Sequence, residues 1–497
     1  MKNMKVRMRA NNSPVMPGLR LALSTSALAV LSACGSMAPP TELPQQLAPA
    51  ATRWHAPQAE APATEPGQPV WQRLNDPLLL QLQAQAESAN PSLQQVLARV
   101  QQARALSQQA GSAQLPQLNA NGMVQRSRPA QPSGSPSQTL SSLSLDSSWE
   151  IDLFARVRQQ ASAAQARLNA SELDAQAARL SLAAEVAQAY LNLRSCERLA
   201  QIAQADAAAT EQLARFAAER LRVGFESAAN EALLQAAAAN AANLALAQRA
   251  ECDLAIKGLV ALTAMEEGAL RQSLQPGAAQ LPAIASLGLA VASVPAEALA
   301  RRPDLAASQQ QIMAAWAERG AAEAARYPQL QLSGSISLAN LRIGGSSDEG
   351  RGWSFGPSLN VPLFDGGARR AQAQGALARY EEALAGHRQS VLQAVREVEE
   401  GLVRLDAARA REALAERAAA GYRQSLQATE RRWRAGLASA AELEDARRLS
   451  LGADSALVQL QREGLSAWVA LCRATGAGWN GQAAPLDPKT KEEGRAA

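Results

Sequence analysis

The sequence predicts an α+β membrane protein in which one structural unit, made of long antiparallel coiled-coil helices and a β-hairpin, is used twice in tandem. Three observations carry this expectation. Short segments recur at one offset along the chain. Four stretches of roughly ten residues alternate polar and apolar side chains, the period of a strand. Two stretches of more than sixty residues contain no proline, as very long helices require.

The offset is nearly constant. Asn90-Pro91-Ser92-Leu93 is echoed by Arg302-Pro303-Asp304-Leu305, and Leu115-Pro116-Gln117-Leu118 by Tyr327-Pro328-Gln329-Leu330, each 212 residues on. Leu153-Phe154 returns as Leu363-Phe364 after 210 residues, and Arg220-Leu221-Arg222-Val223-Gly224 as Arg432-Trp433-Arg434-Ala435-Gly436 after 212. Unrelated segments would not hold one spacing across four anchors, so the chain is a tandem duplication.

The N-terminus is a targeting segment. Lys2, Lys5, Arg7, Arg9 and Arg20 precede an apolar run, Leu21 to Ala33, too short to span a bilayer as a helix. Without those five basic residues the formal charge of +4 becomes −1, so the basic pI gives no reason to expect nucleic acid. Leu31-Ser32-Ala33-Cys34 resembles a bacterial lipoprotein signal, which implies cleavage at 33 and a diacylglycerol on Cys34. Ser36, where Asp would retain such a lipoprotein at the inner membrane, implies the outer one. Residues 34–70, rich in Pro, Ala, Gln and Thr, read as a flexible tether.

The elements then follow in order. From Pro77 to Ala113, Leu79, Leu82, Leu93, Val96 and Val100 recur at helical spacing, and Pro91 starts a second segment. Gln117–Ser127 and Thr139–Ile151 alternate as a hairpin, and Gln329–Leu338 with Trp353–Leu363 repeat it, Arg342 to Arg351 holding the turn residues. Strands of this length suit a tilted bilayer crossing, although soluble hairpins alternate in the same way. A helix from Arg156 to Leu221 would reach about 100 Å. Ala368 to Arg434 repeats it, weakened by Gly375, Gly386, Gly401 and Gly421 unless these mark close helix contacts. Each ends at a Gly turn and a return helix, Asn230 to Ala264 and Ala441 to Thr475. The domain reading is thus a first repeat over 71–285, a second over 286–478 and a flexible tail over 479–497.

Four strands cannot close a barrel, and an open sheet edge is not tolerated in lipid. Other copies must complete it, and a trimer supplies twelve strands.

Composition limits the chemistry. Only 3% of residues are aromatic, and much of the apolar fraction is alanine, which favours close-packed helices over a thick core. Two histidines, His55 in the tether and His387 on a long polar helix, both read as solvated. No nucleophile with a base, metal-ligand spacing or phosphate loop is present, so neither an enzyme nor a cofactor is expected. Cys196 and Cys252 lie 28 residues either side of Gly224, where they either pair across a helical hairpin or pack as small apolar residues.

The ordered set Trp71 with Asp76-Pro77-Leu78, Ala98-Arg99-Val100, Ser148-Trp149-Glu150-Ile151-Asp152-Leu153-Phe154, Arg301-Arg302-Pro303-Asp304-Leu305, Ala325-Arg326-Tyr327-Pro328 and Pro362-Leu363-Phe364-Asp365-Gly366-Gly367 resembles the TolC-like outer membrane efflux proteins. The branch is the lipoproteins that serve resistance-nodulation-division pumps. The resemblance runs from Trp71 to Gly478. It implies a homotrimer with a twelve-stranded barrel in the outer membrane and an α-helical tunnel in the periplasm. It also implies passive conduction of drugs or other small toxic compounds from an inner membrane pump and a periplasmic adaptor (a membrane fusion protein).

The resemblance also places the site residues. The adaptor would dock on the two Gly turns, at Arg220, Arg222, Val223 and Gly224, and at Arg432, Arg434, Gly436 and Leu437. The glycines also cap their helices. The periplasmic gate would follow the second turn, at Glu442, Asp445 and Arg448, with Asn230 at the matching level of the first unit. Here Ala441 stands where the family has a bulky apolar residue, and Glu442 where it has Asp. Two other readings share parts of this pattern: an outer membrane conduit for protein secretion, and a lipid-anchored periplasmic coiled-coil scaffold without a pore.

Overall fold

The computed structural model describes residues 53–56, 70–128, 136–274, 281–284, 287 and 298–476. Cys34 and the segments 1–33 and 479–497 lie outside them. The chain divides into two compact units, one holding residues 109–163 and 316–378, the other residues 44–108, 164–315 and 379 onward.

The first unit is organised by an antiparallel sheet of β1 (Gln117–Ser127), β2 (Gln138–Ile151), β3 (Gln329–Ile343) and β4 (Ser346–Asn360), in that spatial order. Pairing of β2 with β3, from Gln138↔Ile343 to Ile151↔Leu330, joins the hairpins of the two repeats. β1 and β4 are left as edges. The second hairpin is longer than its sequence suggests. Gly344 and Gly345, at φ +57° and +96°, make a two-residue turn, and Ser346 to Arg351 pair in register instead of looping.

The register sorts the side chains. One face carries Gln117, Asn119 and Asn121, Ser142, Ser144 and Asp146, Ser333, Ser335 and Ser337, and Ser354 and Ser358. The other carries Leu118 and Val124, Leu143, Leu145 and Trp149, Leu332, Ile336 and Leu338, and Trp353, Phe355 and Leu359. Among the described residues nothing covers the apolar face at its centre, where Ile336 is 64% and Phe355 70% exposed.

Matched anchors meet below the strands. Phe154 stacks on Tyr327 with centroids 4.9 Å apart. Asp152 accepts the N–H groups of Val157 and Arg158, and Asp365 those of Gly367 and Arg369, so the same residue type starts both long helices.

The second unit is helical. It contains α1 (Pro77–Ala89), α2 (Pro91–Ser112, through 108), α4 (Ala228–Thr263), α5 (Glu267–Leu274) and α8 (Ala440–Ala474), with most of α3 (Arg156–Arg222), α6 (Pro303–Ala324) and α7 (Ala368–Arg434). α3 and α7 hold 67 residues each, about 100 Å at 1.5 Å per residue.

Its core centres on Trp468, Tyr190, Leu79, Leu82, Leu193 and Leu259, with Trp71 edge-on to Trp468 at 6.0 Å. Asp76 caps α1 through Leu78 and Leu79 and accepts the Tyr190 hydroxyl. Arg302 of the Arg-Arg-Pro-Asp-Leu segment is buried against Asp304, Glu397 and the carbonyl of Ala474, tying α6, α7 and the end of α8. A Cβ on Gly401 would lie 3.1 Å from Leu471, so that glycine is a packing contact, whereas Gly386 and Gly421 face open space.

Three residues depart from expectation. Trp54 and Ala56, read as tether, are buried in this core, and the N–H groups of His55 and Ala56 donate to the two Glu399 oxygens at 2.8 Å. His387 is not solvated but 4% exposed, its Nδ1 2.6 Å from Ser308 Oγ, and burial lowers its pKa. Cys196 and Cys252 form a disulfide between α3 and α4, their Cα atoms 5.5 Å apart, while Cys472 is buried and free.

Candidate functional site

The two Gly turns lie in the helical unit and are built by the same bonds. Gly224 N–H donates to the Leu221 carbonyl at 3.0 Å and Phe225 N–H to that of Arg220 at 2.8 Å. Gly436 donates to Trp433 at 2.9 Å and Leu437 to Arg432 at 2.8 Å. This pairing is the Schellman end of a helix, which needs one left-handed residue. Gly224 at φ +80° and Gly436 at φ +76° supply it.

The arginines two residues before each helix end fold back on the turn. Arg220 Nη2 donates to the Phe225 carbonyl at 3.0 Å, and Arg432 Nη2 to that of Leu437 at 3.1 Å. These two shape the turns and do not reach outward. Arg222 is exposed and pairs with Glu219 at 2.8 Å. Val223 and Leu437 stand exposed at the turns, and so does Phe225, 75% exposed, which the sequence reading passed over. The signal for Phe225 was present, since it occupies the same place after its glycine as Leu437.

Each return helix is capped by serine. Ser227 Oγ accepts from Asn230 N–H, and Ser439 Oγ from Glu442 N–H, both at 3.1 Å. The Glu442 carboxylate accepts the Ser439 N–H at 2.7 Å, completing a capping box and holding its pKa below the usual value. Glu442 is therefore a helix-start residue first. Asn230 is likewise engaged, donating to Glu226 at 2.9 Å.

Asp445 and Arg448 differ. Both are exposed on the α8 face that also carries Ala441, and they pair with one another at 2.8 Å. The opposite face of α8, Leu443, Arg447 and Ser450, is buried. There Leu443 joins Leu213, Ala217, Leu234 and Trp433 in a small core, and Phe216 lies edge-on to Trp433 at 5.4 Å. Arg447, 5% exposed, meets three carboxylates: Asp206 at 3.4 Å, Glu430 at 3.2 Å and Glu444 at 3.8 Å. A cavity of about 220 Å³ beside it is lined by Gln212, Phe216, Glu430, Trp433 and Arg434. Sequence reasoning missed Arg447, because Asp445, Arg447 and Arg448 are close in sequence and only their helical phase separates them.

Comparison with known proteins identifies the family and the fold. A family model described as outer membrane efflux protein matches residues 82–264 and 294–477. The chain is 33% identical over 474 residues to the outer membrane protein OprJ of Pseudomonas aeruginosa, covering 92% of this chain and 96% of OprJ. It is 29% identical to the pyoverdine export outer membrane protein OpmQ of the same species, covering 91% and 96% of the two chains.

Among solved structures, a membrane protein from Pseudomonas aeruginosa superposes with a TM-score of 0.77 at 30% identity, covering 88% of this chain and all of that one. The open-state MtrE channel of Neisseria gonorrhoeae gives 0.74 at 24% identity, covering 89% and 98%, a likeness of fold. The fold is the α+β tunnel fold of outer membrane channels, and the family consists of channels rather than enzymes. This chain belongs to the outer membrane efflux protein family.

Proposed function

We propose that three copies of this chain close a twelve-stranded passage through the outer membrane. Small compounds handed over by an inner membrane pump and a periplasmic adaptor leave through it without chemical change. The observation that carries this reading is the sheet. Among the described residues one face is polar, the other is apolar and uncovered, and β1 and β4 are the sheet's unpaired edges. A sheet with those properties is stable in lipid only when closed by further copies.

The exposed pair Asp445 and Arg448 forms the gate. Repeated around a threefold axis, Asp445 gives an acidic ring that favours cations, and Arg448 gives the links that hold it shut. Glu442 and Asn230 hold the helix starts on which the gate is carried. The adaptor docks on the exposed apolar tips Val223, Phe225 and Leu437 with Arg222 and Arg434 beside them. Gly224, Gly436, Arg220 and Arg432 give the turns their shape.

Residues 1–33 are a cleaved signal and Cys34 carries lipid. The repeats run over 71–285 and 286–478, ahead of a tail over 479–497. Relatives named for pyoverdine export and toluene efflux suit a passage whose cargo is chosen by the pump.

Membrane extraction of Cys34→Ala tests the reading. A barrel stays in the outer membrane fraction through alkaline carbonate washing. Release of the full chain as soluble protein would show that lipid alone held it, as on a scaffold.

A further inference from the structure

We infer that Arg447 is a positioning residue for the gate, a buried brace that fixes the start of α8 against α3 and α7 and so holds Asp445 and Arg448 in the closed arrangement. The inference rests on the conduit reading and names a part of that site which neither the motifs nor the family resemblance assigned.

Its first support is position. Asp206 lies on α3, Glu430 on α7, and Glu444 with Arg447 on α8, so one guanidinium joins three helices. It does so beside the exposed pair, since Arg447 and Arg448 are adjacent in sequence. A shift of α8 at this level cannot occur without moving Arg447 away from carboxylates on two other helices.

The second support is asymmetry. The duplication supplies the Schellman turn, the folded-back arginine and the serine cap twice. The brace exists once. At the 212-residue offset, Arg447, Glu444 and Glu430 correspond to Gln235, Ala232 and Ala218, and Asp206 to Ala418. A feature needed only to fold the helical hairpin would be expected at both turns. This one marks the second turn as the one that is held and released.

The third support is incomplete satisfaction. Arg447 Nε and Glu444 Oε1 are buried and make no hydrogen bond. Three carboxylates face one buried guanidinium, with Arg434 lining the adjoining cavity and the uncharged Leu234 and Ala238 of α4 in the neighbouring apolar cluster. The cluster therefore holds more carboxylates than cations in a largely desolvated place, which is costly for the ionised groups.

The surplus sets the direction of a pH response. Burial raises the pKa of Asp206 and of Glu444, against the lowering effect of Arg447. A carboxyl whose pKa is raised in the braced state binds more protons there than when released into water. Protonation thus favours the braced state as pH falls toward the range just above ordinary carboxylate values, and that advantage is lost as pH rises through the raised pKa. Acid tightens the brace.

The test is single-channel recording of the purified full chain in planar bilayers at about pH 7.5 and about pH 5.5. Arg447→Gln should raise mean conductance at the higher pH roughly tenfold, which corresponds to ~1.4 kcal/mol. Arg447→Lys should fall between it and the wild type. Asp206→Asn removes surplus charge and keeps the shape, so it should assemble normally and flatten the pH response. Gln235→Ala, at the matching place in the first repeat, should behave as wild type.

If Arg447→Gln fails to assemble, the double variant with Asp206→Asn takes its place with the same expected rise. Conductance and pH response unchanged in Asp206→Asn and in the Arg447 variants would overturn the inference while leaving the conduit intact. A wild-type chain that never conducts, even with Asp445→Ala and Arg448→Ala, would overturn the conduit reading and the inference with it.

Discussion

Phe355→Arg, compared with Ser354→Arg, separates a lipid-facing sheet from a soluble one. The two residues are neighbours on β4 and point to opposite faces. Phe355 lies on the apolar face between Trp353 and Pro357, opposite Gly334, whose missing Cβ leaves room for the ring. It is 70% exposed in the single chain, so replacing it removes little packing within the protein.

In a bilayer the cost is different. An arginine facing lipid near the midplane costs roughly 2–4 kcal/mol, and three copies give roughly 6–12 kcal/mol per assembly. Ser354 faces the polar side, where an arginine remains in water and costs close to nothing by the same reasoning. Refolding into lipid vesicles against a urea series, with the trimer fraction read on semi-native gels, measures the difference. Phe355→Arg should lower the urea midpoint sharply and Ser354→Arg hardly at all. Equal midpoints for the two variants, or a more stable Phe355→Arg, would refute the assignment of faces.

Two further outcomes are expected. Asp445→Ala with Arg448→Ala should raise conductance in planar bilayers at pH 7, and unchanged conductance would remove these residues from the gate. Loss of the Cys196–Cys252 disulfide, which closes a 56-residue separation, should cost up to roughly 4 kcal/mol by chain-entropy reasoning. A reductant should therefore lower the melting temperature of the wild type and leave Cys196→Ser unaffected, and no difference between the two would show that the bond contributes little.

The parts of this fold that were legible in the sequence are those with long-range regularity. A constant offset revealed the duplication, and period two and the lack of proline revealed the strands and the long helices, whose ends at Arg222 and Arg434 fall within a residue of expectation. The parts that were not legible depend on tertiary context. Ser346 to Arg351 is polar, with Gly350 as its one glycine, and reads as a loop, yet its backbone pairs because Gly344-Gly345 turns the chain early.

His387 lies on a long polar helix between Gly386 and Arg388, and its burial against α6, where Ser308 meets the ring, depends on tertiary packing. The cysteine spacing allowed a disulfide without requiring one, and helix pairing decided it. At the tip no periodicity signals that Arg220 and Arg432 fold back on their own turns, whereas the bond of Glu442 to the Ser439 N–H is legible as a Ser-x-x-Glu capping pattern.

The most direct test of the conduit as one part of a three-component pump is photo-crosslinking in cells from a probe at Leu437, with the captured protein identified by mass spectrometry. The expected capture is a periplasmic adaptor of a resistance-nodulation-division pump. Capture of a protein-secretion adaptor would contradict the efflux role, and no capture from Leu437 or Val223 would contradict the placing of the docking tip.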